Sequence, residues 1–290
     1  MPELPEVETV CRGLNHLTLG QTIQGGQVLH PPTLAFPEDF PSFWSLLTGA
    51  CFHTWQRRGK YLLAHLTKNE QFVGYLGVHL RMTGQLIWRE RGGDNFSQEP
   101  EEVRPKHTRI YWQMSGNQEL QFIDSRTFGR IWGIPAILSP EQVMTGLQKL
   151  GPEPFAPEFS PDYLAQKFHR SQRQIKPFLL DQSLVAGLGN IYADEVLFLS
   201  GIRPTTLASQ LSLTQIQGLH QAIQEVLTQA IAAGGTTFRD FREVTGINGN
   251  YGGIAWVYGR QGEACRRCGT PIERFKLAGR SSHFCPACQS

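Results

Sequence analysis

The sequence predicts an α+β fold: an N-terminal helix with an antiparallel β-sandwich, then a helical domain and a C-terminal zinc β-hairpin. Three observations lead there. Val7, Val10, Leu14 and Leu17 recur at helical spacing near the start, apolar and β-branched runs fill much of 60–134, and beyond Gly151 the pattern turns helical before two Cys-x-x-Cys pairs.

In order, Pro2 suits the first turn of the opening helix, Glu3 and Glu6 lie in that turn, and Gly20 ends it. A Pro-rich loop is expected around Pro31–Pro41. Strand-like runs then cover Lys60–Leu66, Phe72–Trp88, Thr108–Met114 and Leu120–Ile134, with Ser115, Gly116 and Asn117 supplying hairpin chemistry. Pro152, Pro154 and Pro157 mark a linker, and Ser160 with Pro161 caps and starts a helix. Asn190–Leu199 reads as a helix closed by Gly201. Ser212 with Gln215 forms a capping box for a helix carrying Ile216, Leu219, Ile223, Leu227 and Ile231, stopped by Gly234 and Gly235. The Gly-rich stretch Thr236–Gly253 has no periodicity and reads as a mobile or ligand-contacting loop, a choice that composition does not make. The expected boundaries are 1–135 for helix and sandwich, 136–159 for the linker, 160–260 for the helical domain and 261–290 for the hairpin.

Cys265, Cys268, Cys285 and Cys288 form two pairs separated by 16 residues, the arrangement in which two knuckles present four thiolates tetrahedrally to one structural Zn2+. Four sulfur ligands leave no open position, so this ion is expected to stabilise a hairpin too short for its own core and not to activate water. Arg274, Lys276, Arg280 and His283 lie between the pairs, where the hairpin can present them to phosphate. Cys11 and Cys51 stand alone in apolar patterns and read as buried thiols, which suits a reducing compartment.

At 290 residues the chain can bury a substantial core, and neither a membrane-spanning apolar run nor a secretion leader is seen, so a cytoplasmic protein with no membrane partner is expected. The net charge of +2 does not announce a polyanion partner, but its distribution matters: acids gather at Glu90–Glu102 while the chain from Arg239 is rich in arginine.

Two further motifs carry chemistry. Val185-Ala-Gly-Leu-Gly-Asn190 leads into a helix, where glycines permit close backbone approach and exposed amides can receive phosphate oxygens; a plain helix-to-helix turn is the competing reading. Pro2 becomes the first residue if Met1 is removed, exposing a secondary amine that can add to C1′ of a sugar and become a cationic imine, with Glu3 beside it for proton transfer. On those residues alone, a proline chosen only to begin a helix is the favoured reading of Pro2.

Met1-Pro-Glu-Leu-Pro-Glu-Val-Glu-Thr-Val10, Gly187-Leu-Gly-Asn-Ile-Tyr-Ala-Asp-Glu195 and Gly279-Arg-Ser-Ser-His-Phe-Cys-Pro-Ala-Cys288 together resemble the bacterial formamidopyrimidine-DNA glycosylases, and the likeness covers essentially the whole chain. The resemblance implies a bifunctional base excision repair enzyme that removes oxidised purines, 8-oxoguanine and formamidopyrimidines, and cuts the abasic site by β,δ-elimination. The related endonuclease VIII branch usually has Gly where this chain has Leu4, which favours the purine branch.

By position the resemblance makes Pro2 the Schiff-base nucleophile, Glu3 the carboxyl group assisting base loss and sugar opening, Lys60 the lysine of β-elimination and Arg280 the arginine of δ-elimination. It places Met82, Arg126 and Phe128 as residues filling the void left by the extruded nucleotide, and His107, Arg173, Lys176 and Asn190 near DNA phosphates. It makes 160–260 DNA-binding and 236–253 the loop over the lesion. Damaged double-stranded DNA is the implied partner, held in a basic cleft between the domains by a monomer associated with the bacterial nucleoid, with no catalytic cofactor. A non-catalytic zinc-dependent DNA-binding protein and a proline-based tautomerase are the alternatives; intact Pro2 and Glu3 oppose the first, and the hairpin and glycine turn oppose the second.

Overall fold

Leu4–Thr18 forms helix α1, as its apolar spacing predicts, and Gly20 closes it at a φ of 74°. In the computed structural model, which describes residues 2–90, 105–236, 244 and 249–290, the chain clusters into two units. One holds Pro2, Glu6–Gln148 and the described part of 234–249; the other holds Glu3–Pro5, Lys149–Ala233 and Asn250–Ser290. The acidic stretch Glu90–Glu102 lies outside the described residues apart from Glu90, as does most of Thr236–Gly253.

The first unit adds β1 (Ile23–Val28), β2 (Leu34–Phe36), α2 (Phe40–Leu47), β3 (Cys51–Arg58), β4 (Tyr61–Lys68), β5 (Gln71–His79), β6 (Gly84–Glu90), β7 (Thr108–Met114), β8 (Gln118–Asp124), β9 (Arg130–Pro135) and α3 (Pro140–Val143). A four-stranded sheet runs β1-β7-β8-β6 and a five-stranded one β2-β9-β5-β4-β3. Leu62 and Leu76 of one sheet share a core with Trp112, Leu120 and Phe122 of the other, closed by Val7, Val10 and Leu14 of α1. Gly116 (φ 68°) and Asn117 (φ 60°) turn β7 into β8 as expected.

Several expectations are corrected here. β2 pairs parallel with β9, whereas the other strand-to-strand pairings described in this unit are antiparallel. The stretch Pro31–Pro41 is more than a loop, because it contains β2 and the start of α2, whose N-cap Asp39 accepts the amide of Ser42 at 2.7 Å. Cys11 is buried, but Cys51 is half-buried, 3.1 Å from the Thr22 hydroxyl.

The most consequential correction concerns the two long apolar runs. Phe72–Trp88 divides into β5 and β6, and Leu120–Ile134 into β8 and β9; in each case one strand belongs to each sheet. Both halves face the same core, so apolar periodicity continues through a corner that it cannot register. The corners at 80–83 and 125–129 carry Met82, Arg126 and Phe128.

The second unit contains α4 (Pro161–Phe168), α5 (Ile175–Leu179), α6 (Asn190–Leu199), α7 (Leu213–Ala232), β10 (Glu273–Leu277) and β11 (Arg280–Phe284). The expected caps are present: Ser160 accepts the amide of Tyr163 at 3.1 Å, and Ser212 with Gln215 closes a capping box. Ile191–Phe198 of α6 is buried on every face, so this helix lies at the centre of its unit, amid Leu4, Phe168, Leu179, Ile223 and Leu227. β10 and β11 pair antiparallel from Glu273↔Phe284 to Leu277↔Arg280. Among the described residues no helix is long and apolar enough to cross a membrane.

Candidate functional site

In the second unit the site is organised by the start of α6. Gly187 (φ 89°) and Gly189 let the chain pass close to the first residues of the protein: the amide of Leu4 donates to Gly187 O at 3.0 Å. Glu3, 2% exposed, places its carboxylate at the helix N-terminus, where Oε1 accepts the amide of Ile191 at 3.1 Å and Oε2 that of Tyr192 at 3.5 Å. The amides that the sequence offers to a phosphate are thus occupied by the chain's own carboxylate.

Two of the expected DNA-facing residues of this unit converge on β11. Lys176 Nζ and Asn190 Nδ2 both donate to Ser281 O, at 2.6 and 3.1 Å, immediately after Arg280. Arg280 is exposed, as are Arg274 and Lys276, whereas His283 is buried and turned inward, correcting its expected place among the phosphate-facing side chains. Lys176 is only 1% exposed and forms an ion pair with Asp194 at 2.6 Å. Burial lowers its pKa, with Asp194 and Glu3 opposing that and Arg280 adding to it, so the ammonium feels two of the four catalytic candidates. Arg173 stands apart, paired with Asp181 at 2.8 Å and lying over the Phe178 ring.

The four cysteine sulfur atoms lie within 4.8 Å of one another, with Cys268–Cys285 at 3.5 Å and Cys265–Cys288 at 4.0 Å. Zn–S bonds of about 2.3 Å in a tetrahedron require S···S separations of about 3.8 Å. The donor set therefore fits one structural zinc ion, which closes the hairpin.

In the first unit, Pro2 is buried and Lys60 sits in the β3–β4 turn, also buried. Its charge, with that of Arg81, adds to burial in pushing His79 down to about 3, leaving a neutral ring. His79 Nδ1 accepts the amide of Arg81 at 2.9 Å and so holds the corner in which Arg81 has a φ of 55°. Met82, 38% exposed, follows it.

The second corner is tied to the first through Asp124. Its carboxylate accepts from the Thr83 hydroxyl, from the amide of Arg126 at 3.2 Å and from that of Gly129 at 2.7 Å. Arg126 is exposed and its guanidinium lies 4.9 Å from the ring of Phe128, itself 49% exposed. His107, half-buried, joins the same group: its carbonyl accepts the amide of Asp124 at 2.9 Å.

Sequence reasoning did not single out Thr83, Asp124, His79, Asp194 or Glu195. An acid ending an apolar strand, as Asp124 does, and two adjacent acids inside an apolar helix were the available signals, since buried carboxylates need partners.

Family models match most of the chain: the formamidopyrimidine-DNA glycosylase N-terminal domain over residues 1–131, the formamidopyrimidine-DNA glycosylase H2TH domain over 150–242, and a zinc finger found in FPG and IleRS over 262–290. Formamidopyrimidine-DNA glycosylases of Synechocystis sp. and Crocosphaera subtropica are 56% and 59% identical, each aligned over 100% of this chain and 98% of the relative. Among solved structures, a Lactococcus lactis FPG mutant in complex with Fapy-dG-containing DNA superposes with a TM-score of 0.87 at 36% identity, covering 100% of both chains. L. lactis Fpg with abasic-site-containing DNA does so with the same score and identity over 99% of each.

Proposed function

We propose that this chain, which belongs to the formamidopyrimidine-DNA glycosylase family, acts on duplex DNA to excise oxidised purines, 8-oxoguanine and formamidopyrimidines, and cuts the abasic site by β,δ-elimination through a Schiff base on Pro2. It is a DNA glycosylase, and lyase activity is part of its family.

In the proposed cycle the Pro2 secondary amine, free once Met1 is removed, attacks C1′ while the bond from C1′ to the base breaks and the base departs with a proton. Glu3 manages that proton and the one that opens the sugar ring. The ring-opened product is an iminium at C1′, into which electrons flow when a C2′ proton leaves and the C3′–O bond breaks; loss of a C4′ proton then expels the 5′ phosphate. Lys60 and Arg280 stabilise charge on the flanking phosphates, since arginine is a strong donor of hydrogen bonds and a poor donor of protons. His107, Arg173, Lys176 and Asn190 hold the backbone, with Lys176 contributing from a buried position. Met82, Arg126 and Phe128 fill the space of the extruded nucleotide. The enzyme acts as a cytoplasmic monomer on the nucleoid.

One observation supports this most: the carboxylate next to Pro2 is buried and oriented by the α6 amides, which a proline serving only to begin a helix does not require. Borohydride reduction during turnover of an 8-oxoguanine duplex is the test, with mass spectrometry establishing that Pro2 is the first residue. A covalent protein–DNA adduct is expected from processed protein and none from protein retaining Met1. Processed protein that releases the base yet yields no adduct rules out the Schiff-base route.

A further inference from the structure

Zinc fixes the chain at Cys285, just after β11 and five residues beyond Arg280, and a small apolar cluster with Phe198 and Val257 packs against the hairpin. A second anchor lies nearer to Arg280. Asp194, fully buried on α6, accepts with Oδ2 both the backbone amide of His283 at 2.9 Å and its ring Nδ1 at 3.1 Å, while Oδ1 pairs with Lys176. Lys176 in turn donates to Ser281 O at 2.6 Å and to the Ser282 hydroxyl at 2.9 Å. Three consecutive residues of the strand are thereby bound to α6, directly or through one ammonium. On the adjoining side, Glu195 of the same helix accepts the amides of Trp256, Val257 and Tyr258 at 2.7–2.9 Å, fixing the chain that leads into the hairpin.

We propose that Asp194 is a positioning residue for Arg280. By holding β11 to α6, the helix whose first amides hold Glu3, it registers the guanidinium and the carboxylate on one rigid element, a task that zinc at the far end of the strand does not perform. A buried carboxylate with partners on both oxygens suits this role, because moving the strand would leave a charge and several donors without partners. The inference rests on the reading that Arg280 promotes the second elimination.

The test uses full-length, zinc-loaded, processed protein on an abasic duplex, scoring the ratio of β,δ to β product, borohydride adduct formation and zinc per chain. Asp194→Asn is expected to lower the product ratio about ten- to a hundredfold, as for a misplacement on the order of an ångström, while adduct formation and zinc are retained. His283→Phe keeps the Lys176–Asp194 pair and the strand amide, so a smaller shift in the same direction is expected; it carries the decision if Asp194→Asn does not fold. Arg280→Ala runs alongside. An unchanged ratio in Arg280→Ala removes the premise about Arg280. A lowered ratio there with a native ratio in the other two variants overturns the role of Asp194, as does an equal loss of ratio, adduct and zinc in both, which marks a purely structural contribution.

Discussion

Gly189 is a glycine because Glu3 occupies the space of its side chain: a Cβ there would lie 2.5 Å from Glu3 Oε2. The turn thus accommodates an acid of the chain, and Gly189→Ala should displace that acid from the α6 amides. Base release in single turnover is expected to fall on the order of a hundredfold, the scale of a lost acid–base group, as it should for Glu3→Gln. A Gly189→Ala enzyme with the native rate would mean that the observed placement of Glu3 is not the one used.

Asp124 braces both corners that carry the proposed void-filling residues. Asp124→Ala leaves Thr83, Arg126 and Gly129 without their shared acceptor and is expected to cost about 2–3 kcal/mol in urea unfolding. Affinity for an abasic duplex should fall with it, beyond what Phe128→Ala causes, because both corners loosen together.

Zinc removal should detach the hairpin's knuckles while leaving Pro2 chemically intact. A chelated chain is expected to release one zinc ion and to bind damaged duplex at the non-specific level, on the order of a thousandfold weaker, measured by fluorescence anisotropy. Normal binding and cutting by the zinc-free chain would separate the hairpin from DNA engagement.

His79 gives stability a pH dependence of definite sign. Its pKa falls from 6.5 to about 3 on folding, chiefly through burial, so between those values the unfolded chain binds the extra proton. Stability from this group is complete above pH 6.5 and is lost as pH falls toward 3, at up to ~1.4 kcal/mol per pH unit. Urea midpoints from pH 7 to 4 should show that loss in the native chain. His79→Gln, which keeps an acceptor for Arg81, should flatten it.

The legible parts of the fold were those whose causes lie close together in sequence. Ser160 and Ser212 announce their helices because cap and capped amide are three residues apart, and Gly116-Asn117 announces a hairpin because left-handed backbone favours glycine and asparagine. The sheet corners at 80–83 and 125–129 were not legible, since an apolar run looks the same whether it continues along one sheet or turns into the facing one. His283 was misread for a similar reason: its charge type suits phosphate, and only the position of Asp194 turns it inward.

By itself the sequence determined the zinc ligands, the limits of α1, α6 and α7 and the start of α4, all of them properties of residue type and short spacing, whereas Pro2 and Glu3 became candidates through the family resemblance of three separated motifs. Tertiary structure decided what those groups face. The bond from Ile191 to Glu3 spans 188 residues and that from His283 to Asp194 spans 89. Such partners are chosen by which buried charges must find each other once apolar packing has brought distant segments together, and local patterning carries no record of that choice.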